Sequence, residues 1–209
     1  MTTEDPKAYW EEFYQTKRTT SSGTPSGILV RVTTDMAPGR ALDLGSSNGD
    51  DVIWLAEQGW DAVGVDISET ACERARGRAE TLELKGTATF EAMDLTERQP
   101  EGPFDLVTAL FFQSSFDFPR GEILNKVSKL VAKGGTLLIV AHASAPPWAS
   151  EEMKERAKSF PTIESELTDL QATEDDWEFV QVGIATRPAK SPEGEHAQLE
   201  DTVIHLRRK

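Results

Sequence analysis

The apolar and polar positions between Arg40 and Asp66 lay out one structural unit. Ala41, Leu42 and Leu44 form a short apolar run, Gly45 to Gly49 a turn of small residues, and Asp50 to Gln58 an amphipathic segment, and a second apolar run closes at Asp66. Strand, tight turn, helix and strand in that order make a βαβ unit, which demands a parallel pair and a right-handed crossover. Further on, Glu69 to Leu84 reads as a helix with Ser68 as its N-cap, and Thr87 to Ala92 alternates as a third strand. Phe104 to Leu110 is apolar nearly throughout, the pattern of a buried parallel strand. Pro119 to Ala132 gathers Ile123, Leu124, Val127, Leu130 and Val131 on one helical side. Lys133-Gly134-Gly135 then stops that helix, and Thr136 to Ser144 is a fifth strand.

The two ends of the chain follow other patterns. Between Pro6 and Lys17, Tyr9, Trp10, Phe13 and Tyr14 fall at helical spacing; a polar, turn-rich stretch from Arg18 to Gly27 follows, then a short helix from Ile28 to Met36. An aromatic stripe of this kind either packs on the sheet or forms a lid on a mobile hinge. Residues 1–25 are delimited as an N-terminal helical lid and hinge, and residues 26–209 as a single domain. Towards the C-terminus, Ser150 to Lys158 and Ile163 to Leu170 read as helices capping the carboxyl edge of the sheet. Trp177 to Thr186 and Thr202 to Arg208 alternate as strands. The segment between these strands holds Pro188, Pro192 and Gly194 and has no room for a crossover helix, so the pair must be an antiparallel hairpin.

Charge and cysteine usage narrow the partners. The 209 residues carry 22 Lys and Arg against 36 Asp and Glu, a net charge of −14, which repels nucleic-acid backbones and anionic bilayers. The one basic run, Arg207-Arg208-Lys209, is short. No stretch is apolar for long enough to span a membrane, and the first residues show no leader pattern. A lone cysteine, Cys72, gives neither a disulfide nor a zinc spacing and reads as a small buried hydrophobe. The expectation is a soluble, cytoplasmic protein that binds a small molecule, with no nucleic-acid, membrane or metal partner. Its oligomeric state is left open.

The turn after the first strand is the candidate ligand site. Gly45 and Gly49 let backbone approach a ligand or adopt positive φ, and Asp66 closes the next strand at the same edge. There Asp66 either caps a turn or accepts hydrogen bonds from a ribose diol. A pyrophosphate is disfavoured, because the glycines do not follow the dinucleotide spacing and Asp50 and Asp51 occupy the first turn of the next helix. Asp94 and Leu95 follow the third strand at that same edge. Asp105, at the start of the fourth strand, reads as a structural anchor. At the far ends of the fourth and fifth strands lie Phe111, Phe112 and Gln113, and His142, which either closes its strand through a hydrogen bond or acts as a general base.

Asp43, Gly45 and Gly49 resemble the first motif of the class I S-adenosylmethionine-dependent methyltransferases, an acidic residue followed by glycines at alternate positions; Ser47 stands where the middle glycine is usual. The ordered set of elements is similar to the small bacterial enzymes of tellurite-resistance and thiopurine type. The fold expected is α/β, a Rossmann-like doubly wound sheet of about seven strands, mostly parallel with a C-terminal antiparallel hairpin. The resemblance implies S-adenosylmethionine as cofactor and a small-molecule methyl acceptor. By the same resemblance Gly45, Ser46 and Gly49 would hold the methionine and ribose end, Asp43 the amino group, and Asp66 with Ile67 the ribose hydroxyls. Asp94 with Leu95 would hold the adenine, and Phe111 would also border the cofactor. Trp10, Tyr14, Phe112 and Trp148 would wall the substrate pocket, with Gln113 and His142 as catalytic candidates. A binding protein without transferase activity and a nucleotide-dependent oxidoreductase are the alternatives.

Overall fold

The helices and strands start where local chemistry permits. The computed structural model describes residues 5–114, 116 and 118–209. Helix α1 (Pro6–Thr16) begins at Asp5, whose carboxylate accepts from the Lys7 amide at 3.0 Å, and α2 (Gly27–Thr33) follows the N-terminal linker. Then come β1 (Arg40–Leu44), α3 (Asp50–Glu57), β2 (Asp61–Asp66), α4 (Glu69–Ala79) and β3 (Thr87–Ala92). After these lie β4 (Phe104–Leu110), α5 (Arg120–Ser128), β5 (Val131–His142), α6 (Glu151–Ala157), α7 (Ile163–Leu170), β6 (Trp177–Lys190) and β7 (His196–Arg208).

The seven strands form one sheet in the order β3-β2-β1-β4-β5-β7-β6. The first five are parallel, and β7 runs antiparallel between β5 and β6. The strand order reverses between β1 and β4, which opens a crevice at their carboxyl ends, the usual ligand position in such a sheet. Two cores clothe the sheet. On one face Leu29 of α2, Val52 and Leu55 of α3 and Cys72 and Ala75 of α4 pack with Leu106, Leu138 and Val203. On the other, Ile123, Leu124 and Val127 of α5 and Leu170 of α7 pack with Leu42, Val107 and Ile204.

Four local expectations differ from what forms. The helix expected to reach Leu84 ends at Ala79, because the Thr81 and Leu82 amides turn back to the Arg78 and Ala79 carbonyls at 3.1 Å. The helix expected to reach Ala132 ends at Ser128, and Val131 already pairs with Phe104 in the sheet. Lys133-Gly134-Gly135 is therefore a bulge inside β5. The register jumps there from Phe104–Val131 to Leu106–Thr136, and Gly134 supplies a φ of +81°. The hairpin is longer than its alternation suggests. Pro188 and His196 lie within strands, which is tolerated because β6 is the sheet edge and needs no outward amide from a proline. Asp105 does anchor the start of β4, accepting from the Arg40 amide at 2.8 Å.

Candidate active site

The turn after β1 is shaped by close approach. The Gly45 and Ser46 amides both donate to the Val65 carbonyl, at 2.8 and 3.0 Å, which draws the turn onto the end of β2. Gly45 has φ +68°, and a Cβ there would lie 2.9 Å from the Phe112 ring. Ser47 takes φ +53°, the conformation a glycine would hold at this place. Ser46 turns its hydroxyl towards Gly64, behind the turn. The Ser47 hydroxyl and the Asn48 side-chain oxygen are buried with no hydrogen-bond partner among the described residues.

Carboxyl groups crowd this end. Asp66 accepts from the Ser47 and Ser68 amides at 2.9 and 3.0 Å, and Asp43 accepts from the Thr108 hydroxyl at 2.6 Å. Asp51 accepts from the Ser26 amide at 2.6 Å. Burial raises the pKa of all three, that of Asp43 well above the usual carboxylate range and that of Asp51 to about 6. Neighbouring charge adds to the rise, Asp51 acting on Asp43 and Asp50 on Asp51. None of the three has a basic ion-pair partner among the described residues, whereas Asp50 pairs with Arg78 at 2.8 Å.

The N-terminal segment is tied to this turn. The Ser21 and Ser22 hydroxyls donate to Asp50, and the Asn48 side-chain amide donates to the Arg18 and Thr20 carbonyls at 3.4 and 3.2 Å. The Glu11 carboxylate accepts from the Ser68 hydroxyl at 2.7 Å and the Thr70 amide at 3.2 Å, at the start of α4. Tyr14 is buried, with its hydroxyl against Asp66 and Ser47, and burial first and Asp66 second push its pKa up.

The other end of the crevice is built by β4, β5 and the hairpin. Phe111 leaves β4 with φ +57°, and its ring lies 4.4 Å from the His142 ring, centroid to centroid. The Gln113 side-chain oxygen accepts from the His142 amide at 2.8 Å, so this residue fixes backbone. In the β5–β7 ladder His142 stands opposite Asp201, and its Nδ1 lies 3.2 Å from the Asp201 carboxylate. The other Asp201 oxygen accepts from Arg187 Nε at 2.6 Å, and the Arg187 guanidinium sits 5.4 Å from the centre of the Phe111 ring. Turn and hairpin face one cavity of about 940 Å³, at the upper end of the range for small-molecule sites.

Of the residues expected from the sequence, Asp43, Gly45, Ser46, Asp66, Ile67, Asp94, Leu95 and Phe111 line this cavity, as do Trp10, Tyr14, Phe112, Gln113 and His142. Asp94 also caps its own turn, accepting from the Thr96 amide and hydroxyl at 2.8 and 2.7 Å. Gly49 sits behind the turn, tight against Phe90 and Ala75. Trp148 does not line the cavity. Strand β5 ends at His142, the Ala143 amide bonds to the Glu200 carbonyl, and the chain turns away. Phe116 and Phe118 line the cavity instead. Sequence reasoning missed Asp201 and Arg187, whose place depends on hairpin register, and Asn48, which links the turn to the linker.

A ligand bearing positive charge and a diol suits the turn end. Its carboxyls have no basic ion-pair partner among the described residues, and Ser47 and Asn48 keep unpartnered buried oxygens. S-Adenosylmethionine, a sulfonium with an ammonium and a ribose, fits these residues. Residues 37–186 match the methyltransferase domain family. The protein named probable thiol methyltransferase 2 of Arabidopsis thaliana is 28% identical over 157 residues, 71% of this chain and 70% of the relative. Among solved structures, TehB from Haemophilus influenzae superposes with a TM-score of 0.67 at 21% identity, over 95% of this chain and 67% of the other. Magnesium protoporphyrin IX methyltransferase (ChlM) from Synechocystis PCC 6803 with bound SAH also gives 0.67, at 17% identity, over 98% of this chain and 100% of the other. A family match across most of the chain, on a sheet of this order with these residues at its carboxyl edge, shows that the chain belongs to the methyltransferase domain family, as a class I S-adenosylmethionine-dependent enzyme.

Proposed function

We propose that the protein methylates a small molecule carrying an ionisable S–H, O–H or N–H, with His142 as the group that takes the proton. The observation that carries this reading is the His142–Asp201 pair in the cavity wall. Asp201 accepts from Nδ1–H, which fixes the tautomer with the Nε2 lone pair free to receive a proton. When bound, S-adenosylmethionine supplies a methyl group already activated on sulfur, so the chain's part is to hold the acceptor in line and keep water away. Asp66 would accept from ribose hydroxyls, Asp94 from the adenine amino group through the oxygen Thr96 leaves free, and Asp43 from the amino end.

Trp10, Tyr14, Phe112 and Phe118 supply apolar walls, and α1 acts as a lid whose seat is the start of α4. The relative named for thiols supports a soft, small acceptor, and the net charge of −14 supports a small molecule over a nucleic acid. No helix of the described residues is long and apolar enough to cross a membrane, and a buried free cysteine suits a reducing cytosol. The test is formation of S-adenosylhomocysteine with a panel of thiols, phenols and amines by the wild type and His142→Ala. Turnover by the variant equal to the wild type would remove His142 from the chemistry.

A further inference from the structure

The hairpin end of the cavity is basic in a strongly acidic protein, and that asymmetry has a recognisable chemical use. Sheet register places His142 of β5, Asp201 and Val203 of β7 and Ala185 and Arg187 of β6 on one face, the face that α2 covers with Leu29, Ile28 and Val32. Asp201, although buried, presents no spare anion to a ligand, since one oxygen is given to His142 and the other to Arg187 Nε. The two terminal nitrogens of Arg187 have no partner among the described residues. Its guanidinium plane is fixed by Asp201 on one edge and by the Phe111 ring, and it lines the cavity. Arg31 of α2 lines the same cavity and has no ion-pair or hydrogen-bond partner among the described residues. A guanidinium held by its Nε edge, with its two terminal nitrogens free, is preorganised for the oxygens of a carboxylate, and the apolar Phe111, Ala185 and Val203 beside it suit a hydrocarbon body.

We propose that the methyl acceptor is a small carboxylate whose anionic group is taken by Arg187 with help from Arg31, leaving its nucleophile to face His142. This rests on the methyl-transfer reading for the identity of the ligand as acceptor, but the carboxylate site itself is tested without turnover. The full chain is titrated by calorimetry, with and without S-adenosylhomocysteine, against benzoate, its neutral isostere benzamide, and inorganic phosphate. Benzoate should bind about tenfold or more tightly than benzamide and phosphate, the discrimination a charge-assisted pair supplies. Arg187→Gln should erase that preference while leaving S-adenosylhomocysteine affinity within twofold. Because this variant also removes the partner of a buried carboxylate, Arg31→Gln serves as a second probe on an exposed helix position and should weaken benzoate about threefold. Equal binding of benzoate and benzamide, or no binding of either, overturns the proposal. So does phosphate binding as tightly as benzoate, which would mark a general anion site. Failure of S-adenosylhomocysteine to bind strikes the methyl-transfer reading, and the benzoate comparison made without it still decides the carboxylate.

Discussion

Asp43 and Asp66 at the turn end are buried, with Asp51 half-buried beside them, and none has a basic ion-pair partner among the described residues, while Asp201 at the hairpin end is equally buried but bonded to both His142 and Arg187. The first arrangement raises carboxyl pKa values and leaves charge to be completed by a ligand. The second completes itself, and uses its carboxylate to orient an imidazole and a guanidinium. One cavity therefore holds a half that awaits a cationic ligand and a half with cationic groups to offer. Under the proposed function, this division keeps the sulfonium and the nucleophile from exchanging seats.

The sharpest break is His142→Ala. It should lower kcat by about 100-fold or more, the range of a positioned general base, with S-adenosylhomocysteine affinity unchanged in calorimetry. Asp66→Ala acts on the other half. It should weaken S-adenosylhomocysteine by ~10- to 100-fold, since the lost bonds to a charged acceptor are worth ~1.5–3 kcal/mol. An affinity like the wild type's, with the fold intact by circular dichroism, would remove Asp66 from the site.

Asp51→Asn sharpens the contrast through stability. The folded-state pKa of Asp51, about 6, lies above its unfolded value, so its contribution is fully present below about pH 4 and lost as pH rises through 6. Asparagine can still accept from Ser26 but does not ionise. The variant should match the wild type in unfolding free energy near pH 4 and exceed it above pH 7, by ~1–2 kcal/mol after allowance for relaxation, as read by denaturant titration. A difference independent of pH would mean that Asp51 is not strained by its charge. The smallest effect is expected in α1, whose amides should gain hydrogen-exchange protection on addition of S-adenosylhomocysteine. Equal protection without ligand would make this helix fixed core.

Legibility in the sequence followed how local each feature is. Asp43, Gly45, Asp66 and Asp94 all sit at the ends of consecutive parallel strands, so a βαβ pattern and one turn were enough to bring them to a common edge. Arg187 and Asp201 are brought to His142 only by antiparallel register, which no short pattern encodes. The contacts of the linker were hidden for a related reason. Ser21, Ser22 and Ser26 look like hinge residues taken alone, and Asp50 and Asp51 look like a barrier to phosphate; folded, the serines and the aspartates satisfy one another. Gly134 was read as a helix stop because a bulge and a C-terminal turn both call for positive φ.

The turn at residues 191–195 lies outside the cavity lining, yet it sets which β6 residue stands opposite Asp201, and so where Arg187 lies. Strand side chains repeat every second residue, so a slip of two in the β6–β7 pairing would keep the same face inward but put Gly183 or Arg187 opposite Asp201, where Ala185 now stands. An insertion or deletion in that distant turn would thus act as an active-site mutation. It would move Arg187 relative to Asp201 and His142 while leaving the contacts around Asp43 and Asp66 in place.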